Sequence, residues 1–221
     1  MKKITAFLLA AVIALSLTAC ASSTPREFTT AELETILSTA ITENSDAPAD
    51  ITTVDTLNEA KNWLEENKGM TGDEAEKFLV KYGALPYDEV EPTLTESGFT
   101  AEEAEAFQLA DNNARLAQMI FDTLGLSAED IQAGALSVSL INIRAYGMAV
   151  IKPAEGSEEK VQTALENFVA QQQKSFETYL QDQYAIAKNA KCEMVNGYVV
   201  MTMGENSDAI FQSISDSLNA K

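Results

Sequence analysis

The sequence predicts an α+β fold: an acidic helical N-terminal half, then a two-layer sandwich whose mostly antiparallel sheet carries helices on one face in the order ββαββα. Three features point there. Apolar residues recur at spacings of three and four through residues 29–124. After Gly125 the texture changes to runs rich in Val, Ile and Leu. Between two such runs stands Asn196-Gly197, the pair that supplies the positive φ angles of a type I′ hairpin turn. At 221 residues and 46% hydrophobic content, the chain can bury a sizeable core.

The helical half opens on Thr29-x-x-Glu32, a capping-box pattern, and Leu33, Ile36, Leu37, Ala40 and Ile41 follow on one face. That stripe needs a partner surface. Residues 44–53, with Ser45, Asp46, Pro48 and Asp50, read as a turn-rich break. A second helix is expected over 55–66, with Leu57, Ala60 and Leu64 inward, ended by Asn67-Lys68-Gly69. A third runs near 73–82 with Ala75, Phe78, Leu79 and Tyr82 inward, stopping at Gly83 before Pro86. Residues 87–98 contain Pro92 and Gly98 and are expected to form a loop with at most a turn of helix. Thr100-x-x-Glu103 opens a long helix to Leu124, its Phe107, Ala110, Ala114, Ala117, Phe121 and Leu124 facing the protein's own core, with a coiled-coil partner the sharper alternative, and Gly125 as the C-terminal stop.

In the second half, Ser127-x-x-Asp130 caps a single helical turn, and residues 135–152 form two strands. Residues 153–156 terminate them. A long helix opening at Ser157 buries Val161, Leu165, Phe168, Val169, Phe176, Tyr179 and Leu180, with an irregularity around Gln181-Asp182-Gln183. The run Gln171-Gln172-Gln173 reads as a polar helix face. Residues 191–195 and 198–203 make the hairpin, and a last helix lays Ile210, Phe211, Ile214 and Leu218 on the sheet. No internal repeat is visible.

The first nineteen residues read as a bacterial secretory signal. Lys2 and Lys3 form a basic n-region, and an apolar stretch over 4–17 is too short to span a bilayer, which takes ~20 apolar residues. The stretch ends Leu17-Thr18-Ala19-Cys20, like a bacterial lipobox: Leu17, Thr18 and Ala19 are the signal-peptidase recognition residues and Cys20 is the lipidation site and new N-terminus. Acyl chains on one residue, at ~0.8 kcal/mol per buried CH₂, anchor a protein without a basic patch. The chain therefore divides into a lipoprotein signal peptide (1–19), a lipid-anchored tether (20–28), an acidic helical region (29–125) and an α+β domain (126–221). The expected location is the extracytoplasmic face of the cell membrane.

Removing the leader takes away two lysines and no acid, leaving 13 basic against 34 acidic residues, a net −21. Nucleic acid repels such a surface, because affinity for it comes largely from Lys and Arg neutralising phosphates. There is no histidine, which removes Ser-His-Asp and Cys-His nucleophilic machinery and His-based switching. Cys192, the one thiol left in the mature chain, sits in an apolar alternating run and is expected to be a small buried hydrophobe. Adjacent acids such as Glu65-Glu66, Glu102-Glu103 and Glu158-Glu159 diverge by about 100° on a helix and form a solvated face, not a paired-carboxylate site. No Asp-x-Asp-x-Asp-Gly loop, phosphate loop, Rossmann fingerprint or metal-type cysteine cluster occurs, so no cofactor or metal is expected. Trp63, Tyr82, Tyr87 and Phe99 could line a glycan or peptide groove, with core packing the blander alternative for Trp63 and Tyr82. Arg144, beside Tyr146, either grips an anion or lies on the solvent side of a strand.

Met148-Ala149-Val150-Ile151-Lys152, the helix end Phe176-Glu177-Thr178-Tyr179-Leu180, Asn189-Ala190 and Asn196-Gly197-Tyr198-Val199-Val200 together resemble the C-terminal core of the bacterial lipoproteins grouped as domain of unknown function 4358, found mainly in Gram-positive anaerobes. The resemblance covers residues 127–218, with the helical half before it longer than the family core requires. It implies location and fold and transfers no activity. The function expected is a non-catalytic binding or adaptor module at the cell envelope, its partner an envelope protein or a small ligand. Two alternatives are a solute-binding lipoprotein, for which two lobes around a cleft are usual, and an envelope-polymer hydrolase working with carboxylates alone.

Overall fold

The computed structural model describes residues 26–46, 50–141 and 143–220. Its centre is a five-stranded, wholly antiparallel sheet in the order β1-β2-β3-β5-β4, built from β1 (Thr52–Thr53), β2 (Ile131–Val138), β3 (Gly147–Pro153), β4 (Lys191–Val195) and β5 (Tyr198–Met203). The hairpin β4–β5 turns on Asn196 and Gly197, at φ 50° and 84°, as the dipeptide requires. The helices are α1 (Thr30–Asn44), α2 (Glu59–Lys68), α3 (Gly72–Gly83), α4 (Tyr87–Glu96), α5 (Ala101–Leu124), α6 (Glu158–Phe176), α7 (Gln181–Lys188) and α8 (Ser207–Asn219).

The α+β class holds, and the second half follows the expected order with its long middle helix divided into α6 and α7, but the helices cover both faces of the sheet instead of one. On one face, Leu136, Ala149, Ile151, Val199 and Met201 pack under α6, α7 and the C-terminal part of α5. On the other, Ala133, Ala135, Met148, Val150, Tyr198 and Val200 pack under α1 and α8. The physical reason is written in the strands: β2, β3 and β5 are almost continuously apolar and buried, the pattern of strands covered on both sides, where a one-faced sheet would alternate. A register shift between Ile131 and Ala133 inserts one extra residue. It puts Ile131 on the same face as Leu136 although Ala133 and Ala135 point to the other.

The stripe on α1 thus finds its partner far along the chain. Leu33, Leu37, Ala40 and Ile41 are buried against the sheet and α8, and Asn206 Nδ2 donates to the Asn44 carbonyl at 2.9 Å to join the two helices. The capping box at Thr29 is formed: the Glu32 carboxylate takes the Thr29 N–H at 2.9 Å, and the Thr29 hydroxyl takes the Glu32 N–H at 3.3 Å.

A second core lies off the sheet. α2, α3, α4 and the N-terminal half of α5 enclose Leu64, Ala75, Tyr82, Leu94, Phe99 and Phe107, with Trp63 stacked on Phe99 at 5.7 Å between ring centroids. Here residues 87–98, expected as loop, contain the ten-residue helix α4. Pro92 removes one backbone donor and costs a helix interior roughly 3 kcal/mol, but burying Leu94 completely and packing Val90 against this core outweigh it. α5 serves both cores, with Phe107 in the off-sheet cluster and Ala117, Ile120, Phe121 and Leu124 on the sheet.

Further differences are local. The first strand of the long pair begins at Ile131, four residues before its expected start, and the break after α6 falls at residues 177–180, before Gln181. Gln172, read as part of a polar face, is buried, while Gln173 Nε2 donates to the Ala187 carbonyl at 3.0 Å and ties α6 to α7.

Candidate binding groove at the sheet edge

The residues 44–53 expected to be a turn-rich break contain the outermost strand. β1 is two residues long and pairs Thr52 with Leu136 and Thr53 with Ala135. Val54 N–H donates to the Gly134 carbonyl at 3.3 Å, so the hydrogen-bonded pairs of this ladder are 54 with 134 and 52 with 136. The intervening register turns the main-chain groups of Ile51 and Thr53 outward, away from β2. Thr53 N–H is taken by the Thr56 hydroxyl at 3.3 Å, and Thr56 N–H by the Thr53 hydroxyl at 3.3 Å. This reciprocal clasp fixes the single 3-10 turn over Asp55–Asn58 that leads into α2.

A groove of about 580 Å³ runs along this edge, with Ile51, Thr52 and Thr56 at its floor. One wall is α1, which presents Glu34 and Ser38; the other is α5, which presents Asn113 and the exposed Leu116. Glu59, at the start of α2, accepts from Asn113 Nδ2 at 3.2 Å, which fixes its carboxylate in the groove. A smaller depression of about 330 Å³ continues past Thr56 and Glu59 to Asp55, Asn62, Trp63 and Glu66. Among the described residues, the side chains lining the two include Glu34, Asp50, Asp55, Glu59 and Glu66, and no Lys or Arg. These carboxylates are spread along the edge: among the described residues, no three acidic or sulfur side chains converge as a cation cage would require.

The positions singled out in the sequence fall elsewhere. Leu17, Thr18, Ala19 and Cys20 lie outside the described residues. Cys192 is partly buried at the rim of the sheet core; burial, then Glu166 and Glu193, pushes its thiol up to about 12, so it stays protonated. Trp63, Tyr82 and Phe99 are core aromatics, whereas Tyr87 is 96% exposed. Arg144 stacks over the Tyr146 ring at 4.9 Å, in the loop between β2 and β3. Of the acid pairs, Glu103 caps α5 through the Thr100 N–H and meets Lys68 Nζ at 2.7 Å; Lys68 first, then Thr100, holds its carboxyl below the usual range. No described helix is long and apolar enough to cross a membrane.

Sequence reasoning missed the groove because its floor is a two-residue strand whose partner lies more than eighty residues away. The available signal was Ile51-Thr52-Thr53-Val54, a β-branched run inside a turn-rich segment.

Residues 106–204 match the family model described as Domain of unknown function (DUF4358). No curated protein and no solved structure matches the chain. The matched stretch begins inside α5, some twenty residues before the expected start at 127, and ends at Gly204, before α8. It takes in the sheet strands β2 to β5, α6, α7 and most of α5, and leaves α1, β1 and the off-sheet helices α2 to α4 outside. Through this sheet-centred segment, less than half of the chain, the protein is similar to the family of domain of unknown function 4358.

Proposed function

We propose that the protein is a non-catalytic binding or adaptor module held on the extracytoplasmic face of the cell membrane by a lipid on Cys20. The observation that carries this is the run Leu17-Thr18-Ala19-Cys20 closing a basic-then-apolar leader. The groove between α1 and α5 supports the binding half, since it offers outward main-chain groups, fixed polar side chains and an apolar shelf at Leu116. Two measurements test it. Cys20→Ala should prevent lipid labelling and release the protein from the membrane; unchanged attachment would overturn the anchor. Cross-linking the full-length protein in its native membrane, with Cys20→Ala as control, should capture a reproducible partner that mass spectrometry identifies and that is lost with the anchor.

A small-ligand role is the second reading, favoured by the groove's volume, which lies in the range of about 300–1,000 Å³ usual for such sites. Thermal-shift screening of residues 21–221 against envelope metabolites and cations separates the two.

A further inference from the structure

We propose that the groove beside β1 takes an extended, Lys- or Arg-bearing segment of a partner protein, which adds to the sheet as a sixth strand. The inference deepens the binding-module reading and rests on it. Its floor is an open sheet edge: β1 is the end of the strand order, and the ladder register directs the Ile51 N–H and C=O and the Thr53 C=O away from β2. An extended chain laid there satisfies main-chain groups on both sides, as in β-strand addition generally. The walls belong to helices on opposite faces of the sheet, α1 and α5, so the groove follows the edge and leaves room for side chains alternating toward each wall.

Charge selects the occupant. Glu34, Asp50 and Glu59 line the main groove, with Asp55 and Glu66 beyond, and among the described residues no Lys or Arg lines either part. Carboxylates distributed along an edge match basic side chains spaced along a strand better than a single ion, which needs them convergent. A second copy of this chain, with 34 acidic residues overall, meets the same field and is repelled. At the far edge, β4 differs: Lys191 and Glu193 sit on the strand itself, and Lys191 is paired with Asp208 at 2.8 Å, so that edge carries its own charges of both signs.

The test uses the full chain purified in detergent and panned against a displayed library of random dodecapeptides. The expected result is enrichment of peptides with Lys or Arg at alternate positions. Their affinity should fall about tenfold or more with Glu34→Lys, at an exposed side chain, combined with Glu59→Lys, at a half-buried one, and stay unchanged with Glu193→Lys on β4. A probe that does not depend on any variant folding is the best enriched peptide N-methylated on alternate amides: methylating one strand edge should abolish binding and methylating the other should spare it. No enrichment, binders without a basic bias, or basic binders indifferent to both the charge reversal and the methylation would overturn the inference. A membrane cross-link that survives Glu34→Lys with Glu59→Lys would sink this groove as the docking site while leaving the adaptor reading standing. Membrane attachment that survives Cys20→Ala, with peptide binding intact, would do the reverse.

Discussion

Phe28 N–H donates to the hydroxyl of Tyr198 at 2.8 Å, and the two rings meet edge to face with centroids 5.8 Å apart, across 170 residues of sequence. Tyr198 is the first residue of β5, directly after the Asn196-Gly197 turn, so the entry to α1 is pinned to one end of the sheet. The hydroxyl is buried and has a main-chain partner, so Tyr198→Phe should cost about 0.5–1.5 kcal/mol in urea unfolding. It should also speed amide exchange at residues 28–32 more than in β5. Equal exchange in both places would show that the bond does not hold the entry to α1.

Thr202 on β5 has a fully buried hydroxyl with no hydrogen-bond partner among the described residues. A polar group desolvated in this way lowers stability, and Val keeps almost the same shape. Thr202→Val should therefore raise the urea midpoint, by an amount equivalent to about 1 kcal/mol.

Gly147 opens β3 beneath Phe168 of α6. A Cβ there would stand 2.9 Å from Phe168 Cε1 and 3.1 Å from Met201 Cε. The Phe168 ring cannot give way without moving α6, so Gly147→Ala should cost about 1–3 kcal/mol by overpacking. Pairing it with Phe168→Leu should recover part of the loss. No recovery in the double-mutant cycle would place the strain elsewhere.

Asp130 is buried at the start of β2, where it accepts from Lys160 Nζ at 2.7 Å and from the Ser127 N–H and hydroxyl at 2.9 and 2.8 Å. Lys160 first, then Ser127, holds its carboxyl below the usual range against the opposing effect of burial. A carboxyl whose folded value lies below its unfolded value of about 3.9 contributes stability in full above that value and loses it as pH falls through the folded one. Asp130→Asn should thus cost about 1–3 kcal/mol at pH 7. The difference from the unsubstituted protein should shrink below about pH 4 in a series of urea titrations.

The Cys192 thiol, pushed up to about 12, has a thiolate fraction of roughly 10⁻⁴ at pH 8, against roughly a quarter for a free cysteine. Iodoacetamide at pH 8 should therefore label it only when the protein is unfolded in guanidinium. Rapid labelling of the native protein would contradict the burial described for it.

Local signals were read well from the sequence and long-range ones were not. The capping boxes at Thr29 and Thr100, Gly125 after α5 and the Asn196-Gly197 turn act within a few residues, and each appears where its chemistry requires. α4 was hidden because Pro92 is a local breaker overruled by the burial of Leu94 against residues distant in sequence. The destination of the α1 stripe, the second covered face and the groove share one cause. Each depends on pairing of elements whose separation along the chain no periodicity encodes, as with Thr52 and Leu136.

α5 is 24 residues long, about 36 Å of helix, with Phe107 fixed in the aromatic cluster and Phe121 fixed beneath the sheet. Both hydrophobic cores clamp the same helix, so they share a single mechanical member. Heat should release them together, in one calorimetric peak whose van't Hoff and measured enthalpies agree. The amides near the middle of α5, around the Asp111–Arg115 ion pair, should be among the last to exchange. In this architecture the off-sheet helices are neither a free-standing domain nor a loop, but one end of a beam whose other end lies beneath the sheet.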